Sequence, residues 1–234
     1  MQAIDIHSHI IFAVDDGSKT IEQSIEAIKQ IKKIGMNSVV CTPHFKRGRK
    51  EKIGLVKTNF LKLKEVAQEL GVELYIGNEI MYSDETIELL NQRKLIGINF
   101  SKYILVEFKR NENKNINDIL MILEDMIDAG YRPILAHPEL YINYHNIEYM
   151  RMIKEIGVIL QMDATSLFER KRKKLCKKML KERLVDVVAS DSHCTKKRNH
   201  LIYKKAYKKI NKKYGKEYTD IIFYKNPLSF IQNK

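Results

Sequence analysis

Short apolar runs alternate along this chain with segments in which apolar residues recur every three or four positions. The runs are short enough to be strands, and the segments between them have helical spacing, as at Ile21, Ile25 and Ile28. This alternation predicts an α/β fold with a parallel sheet, and about seven repeats favour closure into a barrel over an open doubly wound sheet. The candidate strands begin near Ile4, Ser38, Glu73, Tyr103, Pro133, Val158 and Asp186.

Turn and cap residues mark the expected helix ends. Thr20 and Gln23 have the spacing of a capping box at the start of the first helix. We find no linker or low-complexity segment, so the 234 residues, 44% of them hydrophobic, predict one domain over residues 1–234. Glycines stand where helices are expected to end and turn back into strands: Gly35, Gly71, Gly130 and Gly157.

Residues that can bind metal ions stand at or just after the ends of the expected strands. In a parallel barrel these ends lie on one face of the molecule, so their side chains should converge. A single histidine there is equally well interpreted as a structural core residue, but five of the seven histidines share this placement. The candidate metal ligands are His7, His9, Asp16, His44, Glu79, Glu107, His137, Asp191 and His193.

The size and chemistry of this set favour more than one metal ion. Zinc in a tetrahedral site needs about four ligands, whereas nine donors suit two or three divalent ions. Nitrogen and oxygen ligands without thiolates favour manganese, iron or zinc over magnesium. Clustered divalent ions are suited to phosphoester hydrolysis, and a phosphoester hydrolase is therefore the activity that the residues predict.

The net charge of +13 favours an anionic partner such as nucleic acid, a phosphorylated protein tail or an acidic membrane surface. The alternative is that the basic runs are solvated helix faces. In the run from Arg170 to Arg183, Phe168, Leu175 and Met179 fall near helical spacing, which favours an amphipathic helix over a nucleic-acid grip.

The three cysteines form no CxxC pair, which argues against a disulfide framework or a cysteine zinc site. Cys41 and Arg47 have the C-x5-R spacing of cysteine-dependent tyrosine phosphatases, but Pro43 removes a backbone N–H that such a phosphate loop needs. We interpret that match as accidental. No apolar run approaches the roughly 18 residues that span a bilayer, and no leader precedes the first candidate strand, so a cytoplasmic protein is expected.

Seven motifs occur in an order that resembles the polymerase and histidinol phosphatase (PHP) superfamily, and more closely its bacterial tyrosine-protein phosphatase branch of the CpsB/YwqE type. The resemblance implies a distorted (β/α)7 barrel with a trinuclear, typically manganese, centre. It also implies hydrolysis of phosphotyrosine on the C-terminal tail of a tyrosine kinase that controls capsule or exopolysaccharide export. The motifs are Asp5-Ile-His-Ser-His9, Val14-Asp-Asp-Gly17, Cys41-Thr-Pro-His44, Gly77-Asn-Glu79, Val106-Glu107-Phe108, Ala136-His137-Pro138-Glu139 and Ala189-Ser-Asp-Ser-His193.

By this resemblance the ligands divide among three ions, with Glu79 shared. Arg198 matches a family arginine that binds substrate phosphate, whereas Leu140 stands where the family commonly has a second one. Lys46, Arg47 or Arg49 in the loop after His44 could supply that positive charge instead. Catalysis is expected from Asp16, His44, Glu107 and Arg198. The three ligand sets are His7, His9, Glu79 and Asp191; Glu79, Glu107 and His137; and Asp16, His44 and His193.

Other functions use the same donors. A phosphatase of a small phosphomonoester such as histidinol phosphate needs the same ions with different loops, and an exonuclease would use the basic surface. A degenerate PHP domain that only binds a partner would have no use for a costly cluster of polar ligands. We expect a phosphotyrosine protein as partner, transient approach to a membrane-bound kinase, and no stable complex with nucleic acid.

Overall fold

The computed structural model describes residues 1–45, 52–109, 115–141, 147–194 and 198–232. Strands and helices alternate along them, as the apolar pattern predicts. The described strands are β1 (Ser38–Cys41), β2 (His44–Phe45), β3 (Glu73–Ile76), β4 (Glu79–Met81), β5 (Tyr103–Glu107), β6 (Arg132–Ala136), β7 (Ile159–Asp163) and β8 (Val187–Ala189). The described α-helices are α1 (Ile21–Lys33), α2 (Lys52–Glu69), α3 (Thr86–Asn91), α4 (Ile116–Asp128), α5 (Ile147–Glu155), α6 (Lys173–Lys181), α7 (His200–Tyr214), α8 (Lys216–Asp220) and α9 (Asn226–Gln232).

All of the strand pairings are parallel, which confirms the predicted sheet type. β1 pairs with β3, and a larger sheet has the order β2-β4-β5-β6-β7-β8. β2 continues the path of β1 and β4 continues that of β3, so each of these two pairs replaces one expected strand. Pro43, which has no N–H to donate, separates β1 from β2. Asn78 separates β3 from β4, because its backbone N–H and its side-chain oxygen both bond to Ile96.

The segment before α1 forms backbone hydrogen bonds to neighbours on both of its sides. The Val40 N–H donates to the Asp5 carbonyl at 2.8 Å, and the His9 N–H donates to the Ser192 carbonyl at 2.8 Å. The segment therefore lies between β1 and the residues that follow β8. Its bonds connect the two sheets through seven neighbouring chain paths, and closure into the expected (β/α)7 barrel stays a prediction.

The expectation of a regular strand beginning near Ile4 is wrong in detail. The segment is extended, but it forms isolated bridges at Asp5 with Val39 and at Ser8 with Ser192. Because consecutive bridges go to different neighbours, no continuous ladder forms on either side.

Inward-facing residues of the strands form a small apolar cluster of their own, separate from the larger cluster between strands and helices. Leu105 and Ala189 belong to the inner cluster, and α9 adds Phe230 and Ile231 to it. Side chains two residues apart on a strand share a face, so Glu107 and Asp191 continue these inward rows toward the carboxyl ends. The alternation thus carries polar donors to one end of an apolar interior.

Caps and helix faces mostly follow the sequence predictions. Thr20 Oγ1 accepts a hydrogen bond from the Gln23 N–H, but the Gln23 side chain returns to the N–H of Lys19 and not to that of Thr20. The four predicted glycine turns have φ between 68° and 87°. The face of α6 toward the core buries Leu175, Cys176, Met179 and Leu180.

The amphipathic helix predicted around Arg170 to Arg183 is shorter than expected. Phe168 lies before α6 and is 41% exposed, with the Lys209 ammonium 4.6 Å from its ring centroid. None of the described helices is both long enough and apolar enough to cross a membrane.

Candidate metal centre

The nine candidate ligands converge at the carboxyl ends of the strands. Glu107 is the last residue of β5, and His137 follows β6 directly. Asp191 stands two residues beyond β8. Four groups of donor atoms each lie within 4.8 Å of one another: His9, Asp16, His44 and His193; His7, His9 and Glu79; His7, His137 and Asp191; and His44, Glu79 and Glu107.

Glu79 lies at the middle of the cluster. Its Oε2 is 2.7 Å from His44 Nδ1 and 3.2 Å from His9 Nε2. Its Oε1 is 2.9 Å from His137 Nε2 and 3.2 Å from His7 Nε2. A fully buried carboxylate with imidazoles around both oxygens is the geometry expected of a bridging ligand.

Asp16 lies at the mouth of the cluster, with its side chain 66% exposed. Its Oδ1 is 3.3 Å from His44 Nε2 and 3.5 Å from His193 Nε2. These three residues form the outermost of the expected ligand sets, and His9 joins them within the same 4.8 Å limit. Among the nine donors, this set therefore lies where a substrate would arrive.

Hydrogen bonds behind the cluster fix the orientation of three imidazoles. His7 Nδ1 is 2.9 Å from Gln161 Oε1, and His9 Nδ1 is 2.7 Å from Asp15 Oδ2. His193 Nδ1 is 2.9 Å from the carbonyl oxygen of Asp191. An oxygen acceptor at Nδ1 favours the tautomer in which the Nε2 lone pair of a neutral imidazole faces the cluster, as a metal ligand requires.

The electrostatics of the cluster suit cations. Burial alone would lower the pKa of His44, but Glu79, Asp16 and Glu107 together raise it to about 11. Burial would also lower the pKa of His137, but Glu79 in particular raises the pKa of that imidazole to about 9. Hydrogen bonds to His193 and His44 hold the pKa of Asp16 well below its usual range. Asp16 is thus ionised and stabilises positive charge at this place.

Buried atoms of the donor set fit metal ions. Among the described residues, Glu79 Oε2, Glu107 Oε1 and His44 Nδ1 are buried and form no hydrogen bond of good geometry, although Glu79 Oε2 and His44 Nδ1 are 2.7 Å apart. Buried carboxylate oxygens that lack donors are costly unless a cation neutralises them. These atoms lie within 4.8 Å of one another among the other donors of the cluster, so divalent ions bound there would satisfy them.

The backbone around the site adopts unusual conformations. His137 and Asp191 have φ of 34° and 47°, in the left-handed region that is costly for residues with a Cβ. A Cβ at Gly17 would lie 2.0 Å from the carbonyl oxygen of His9, so only glycine fits after the Asp15-Asp16 pair. Tertiary contacts therefore hold these side chains in place against local preference.

A cavity of about 430 Å³ opens over the donors. Arg198 lines it, and its Nη2 is 2.7 Å from Asp191 Oδ2. Lys109, two residues beyond Glu107, also lines it, although the sequence did not single it out. Leu140 does not belong to the lining and is only 3% exposed, while Arg47 lies outside the described residues.

Sequence reasoning missed the residues that support the ligands. Asp15 stands beside the chosen Asp16 in a motif that carried the signal, and Gln161 is a polar residue within an otherwise apolar strand. Asp5 also has a supporting role, because it accepts hydrogen bonds from the Ser190 N–H at 2.9 Å and from His200 Nε2 at 3.1 Å. This network ties the first segment to the end of β8 and to α7.

Comparison with known proteins gives a consistent result. The family model for capsular polysaccharide synthesis, CpsB/CapC, matches residues 3–232. Tyrosine-protein phosphatase CpsB of Streptococcus agalactiae serotype III is 32% identical over 98% of both chains, and the CpsB of Streptococcus pneumoniae is 33% identical over 99% of both.

Solved structures agree with these relatives. A chain from the crystal structures of YwqE of Bacillus subtilis and CpsB of S. pneumoniae, described as metal-dependent tyrosine phosphatases, has a TM-score of 0.83 at 27% identity, over 99% of this chain and 95% of that one. The phosphotriesterase homology protein of Escherichia coli, at 14% identity and a TM-score of 0.68 over 99% of both chains, shows similarity of fold alone.

Proposed function

The chain belongs to the CpsB/CapC family of capsular polysaccharide synthesis, and from this premise we propose that it is a metal-dependent tyrosine-protein phosphatase. The observation that carries the proposal is the convergence of nine donors under a cavity of about 430 Å³ that two basic side chains line. The cavity has room for a phosphoryl group and part of an aromatic ring.

We propose that the nine donors hold two or three divalent ions, with manganese as the expected metal and iron or zinc as alternatives. His7, His9, Glu79 and Asp191 would hold one ion, and Glu79, Glu107 and His137 a second. Asp16, His44 and His193 would hold the third. When bound, such ions lower the pKa of a coordinated water and neutralise phosphate oxygens.

Arg198 supplies a fixed positive charge for substrate phosphate. Asp191 holds one end of its guanidinium at 2.7 Å, so the orientation of the planar group is set before substrate arrives. Asp191 also contributes an oxygen to the donor cluster. The same carboxylate thus couples the position of Arg198 to the metal centre.

Lys109 is our candidate for the second phosphate-binding charge. The buried position of Leu140 supports this assignment, because a side chain enclosed there is not a phosphate contact. Lys109 lines the cavity as Arg198 does, and its ammonium group is a common phosphate ligand. Exchange of Lys109 for methionine should therefore raise KM for phosphotyrosine peptides about ten-fold.

Cys41 is unsuited to be a nucleophile. Its side chain is fully buried, and burial raises the pKa of the thiol far above its ordinary value. The C-x5-R spacing to Arg47 therefore does not indicate a cysteine-dependent phosphatase, because Cys41 does not form a reactive thiolate.

The natural substrate that we propose is a phosphotyrosine on the C-terminal tail of a cognate bacterial tyrosine kinase. The experiment compares purified protein on a phosphotyrosine peptide, a phosphoserine peptide, histidinol phosphate and single-stranded DNA, each after chelation and after addition of manganese. We expect manganese-dependent phosphate release from the phosphotyrosine peptide in excess of the others. Faster release from histidinol phosphate, or cleavage of DNA alone, would reject the proposal in favour of that alternative.

A further inference from the structure

A second cavity of about 540 Å³ adjoins the metal centre, and its lining is mainly apolar. We call it the apolar groove and define it by Phe45, Leu61 and Phe100 together with the basic residues Lys57, Arg93 and Lys94. His44 lines both this groove and the cavity over the metal ligands. The two cavities therefore share one wall residue, and a substrate bound over the metal ligands would lie beside the groove.

Two large apolar side chains stand exposed at the groove. Phe100 is 65% exposed and Leu61 is 50% exposed. Exposed aromatic and aliphatic groups beside a concave apolar surface are typical of a site that binds another molecule.

The backbone that presents Phe100 is strained. Arg93, Asn99 and Phe100 have φ of 56°, 49° and 64°, all in the region that favours glycine. The Asn99 side chain donates to the Ile231 carbonyl at 3.1 Å, and the Phe100 N–H donates to the Gly97 carbonyl at 3.1 Å. Strain that surrounding contacts maintain in an exposed aromatic residue points to a function in binding.

The charge of the groove has one sign. Lys57, Arg93 and Lys94 lie in its lining, and no carboxylate is found among the described residues that form it. A partner that places an acidic side chain beside an apolar one would match both features.

We infer that the apolar groove binds the substrate segment beside the phosphotyrosine, with preference for a large apolar residue next to an acidic one. This inference rests on the proposed phosphatase function and adds a specificity to it. The phosphoryl group would lie at the metal centre while the flanking residues lie between α2 and the segment that follows α3.

The test compares kcat/KM for free phosphotyrosine and for peptides with the same phosphotyrosine. One peptide pair carries leucine and glutamate on the amino or the carboxyl side, and a control peptide carries serine and glycine on both sides. Wild-type protein should prefer one member of the leucine-glutamate pair by about ten-fold over the control, as expected for burial of one apolar side chain.

The variant that removes the groove contacts is Leu61→Ser with Phe100→Gly. Glycine accepts the φ of position 100 without strain, so this variant should fold normally. It should lose the peptide preference and keep its rate on free phosphotyrosine. Met121→Ser is the matched control, because Met121 is 57% exposed on α4 and does not line the groove.

Arg93→Glu tests the charge preference separately. It should reverse the preference between the glutamate peptide and one in which lysine replaces the glutamate. Equal turnover of all peptides by wild type, or an unchanged preference in the double variant, would overturn the inference while leaving the proposed function intact.

Two further outcomes would also overturn the inference. Sedimentation that changes from dimer to monomer in the double variant, with the peptide preference unchanged, would assign the groove to a second copy of the chain. Failure of wild type to hydrolyse free phosphotyrosine and every peptide with manganese present would reject the proposed function, and the inference with it.

Discussion

Asp15 gives the sharpest test of how the site is built, because it acts through a ligand without belonging to the expected ligand sets. Its side chain is 2% exposed and accepts three hydrogen bonds. Oδ2 is 2.7 Å from His9 Nδ1 and 3.1 Å from the His44 backbone N, while Oδ1 is 2.9 Å from the Gly17 N. The variant Asp15→Asn keeps the shape of the side chain and removes its charge.

The expected magnitude follows from these contacts. An asparagine has one oxygen and one NH2 group, so in either orientation its NH2 faces an N–H that now has no acceptor. Loss of a charge-assisted hydrogen bond costs about 1.5–3 kcal/mol, and loss of a partner that orients a metal-binding histidine lowers metal affinity about 10–100-fold. Manganese affinity should therefore fall about 10–100-fold in Asp15→Asn.

Manganese affinity is measured by titration of chelator-treated protein with manganese, followed by competition with a chelator of known affinity. The matched control is Asp128→Asn, which removes an exposed carboxylate at the end of α4. Near-saturating manganese should restore much of the activity of Asp15→Asn. A folded Asp15→Asn variant with wild-type manganese affinity would contradict a role of Asp15 in positioning His9.

The acid stability of the metal-free protein provides a second measurement. Burial would raise the pKa of Asp15, but the hydrogen bond with His9 in particular lowers it from 3.8 to about 2. The carboxylate therefore stabilises the fold above pH 4, and this contribution is lost as the pH falls toward 2. As the pH falls from 4 to 2, the free energy of unfolding in urea titrations should decrease less for Asp15→Asn than for wild type.

Four further predictions concern individual residues. Glu107→Ala should lower the manganese-dependent rate at least about a thousand-fold, whereas Cys41→Ser should keep most of it; an inactive, folded Cys41→Ser with full metal content would contradict this. Arg198→Ala should lower kcat/KM on phosphotyrosine about ten- to a hundred-fold, measured at saturating manganese. Because carboxylates raise the pKa of His44 to about 11, manganese must displace a proton from this imidazole, and manganese affinity should increase from pH 6 to 8. Calorimetry in buffers of different ionisation enthalpy would detect the released protons. Equal manganese affinity at both pH values would argue against proton displacement. Leu140→Arg should reduce the free energy of unfolding by about 3–5 kcal/mol in urea titrations, because Leu140 is 3% exposed and the variant buries an uncompensated charge there. Improved turnover with unchanged stability would show instead that position 140 faces the substrate.

The features that sequence reasoning predicted well depend on local periodicity. Apolar alternation marks the strands, and the rule that parallel strands share a carboxyl end brings Glu107, His137 and Asp191 together without knowledge of side-chain detail. Glycine turns are equally local, since the left-handed conformation favours glycine wherever it occurs.

The features that it missed depend on distant partners. Asp15 and Asp16 are adjacent and chemically identical, and nothing in the sequence says that one supports His9 while the other faces the mouth of the site. Likewise, the break between β3 and β4 arises because Asn78 bonds to Ile96, a residue of a later loop. Tertiary contacts of this kind override the period of the pattern.

The segment before α1 depends on residues that are synthesised much later. It carries His7 and His9, yet its backbone bonds to Ser192, and Asp5 bonds to Ser190, about four-fifths of the chain away. A ribosome therefore adds more than 180 residues after these two histidines before Asp191 exists for them to meet. These histidines are thus synthesised early and fixed late, and the complete centre can load metal only after the residues that follow β8 have left the ribosome.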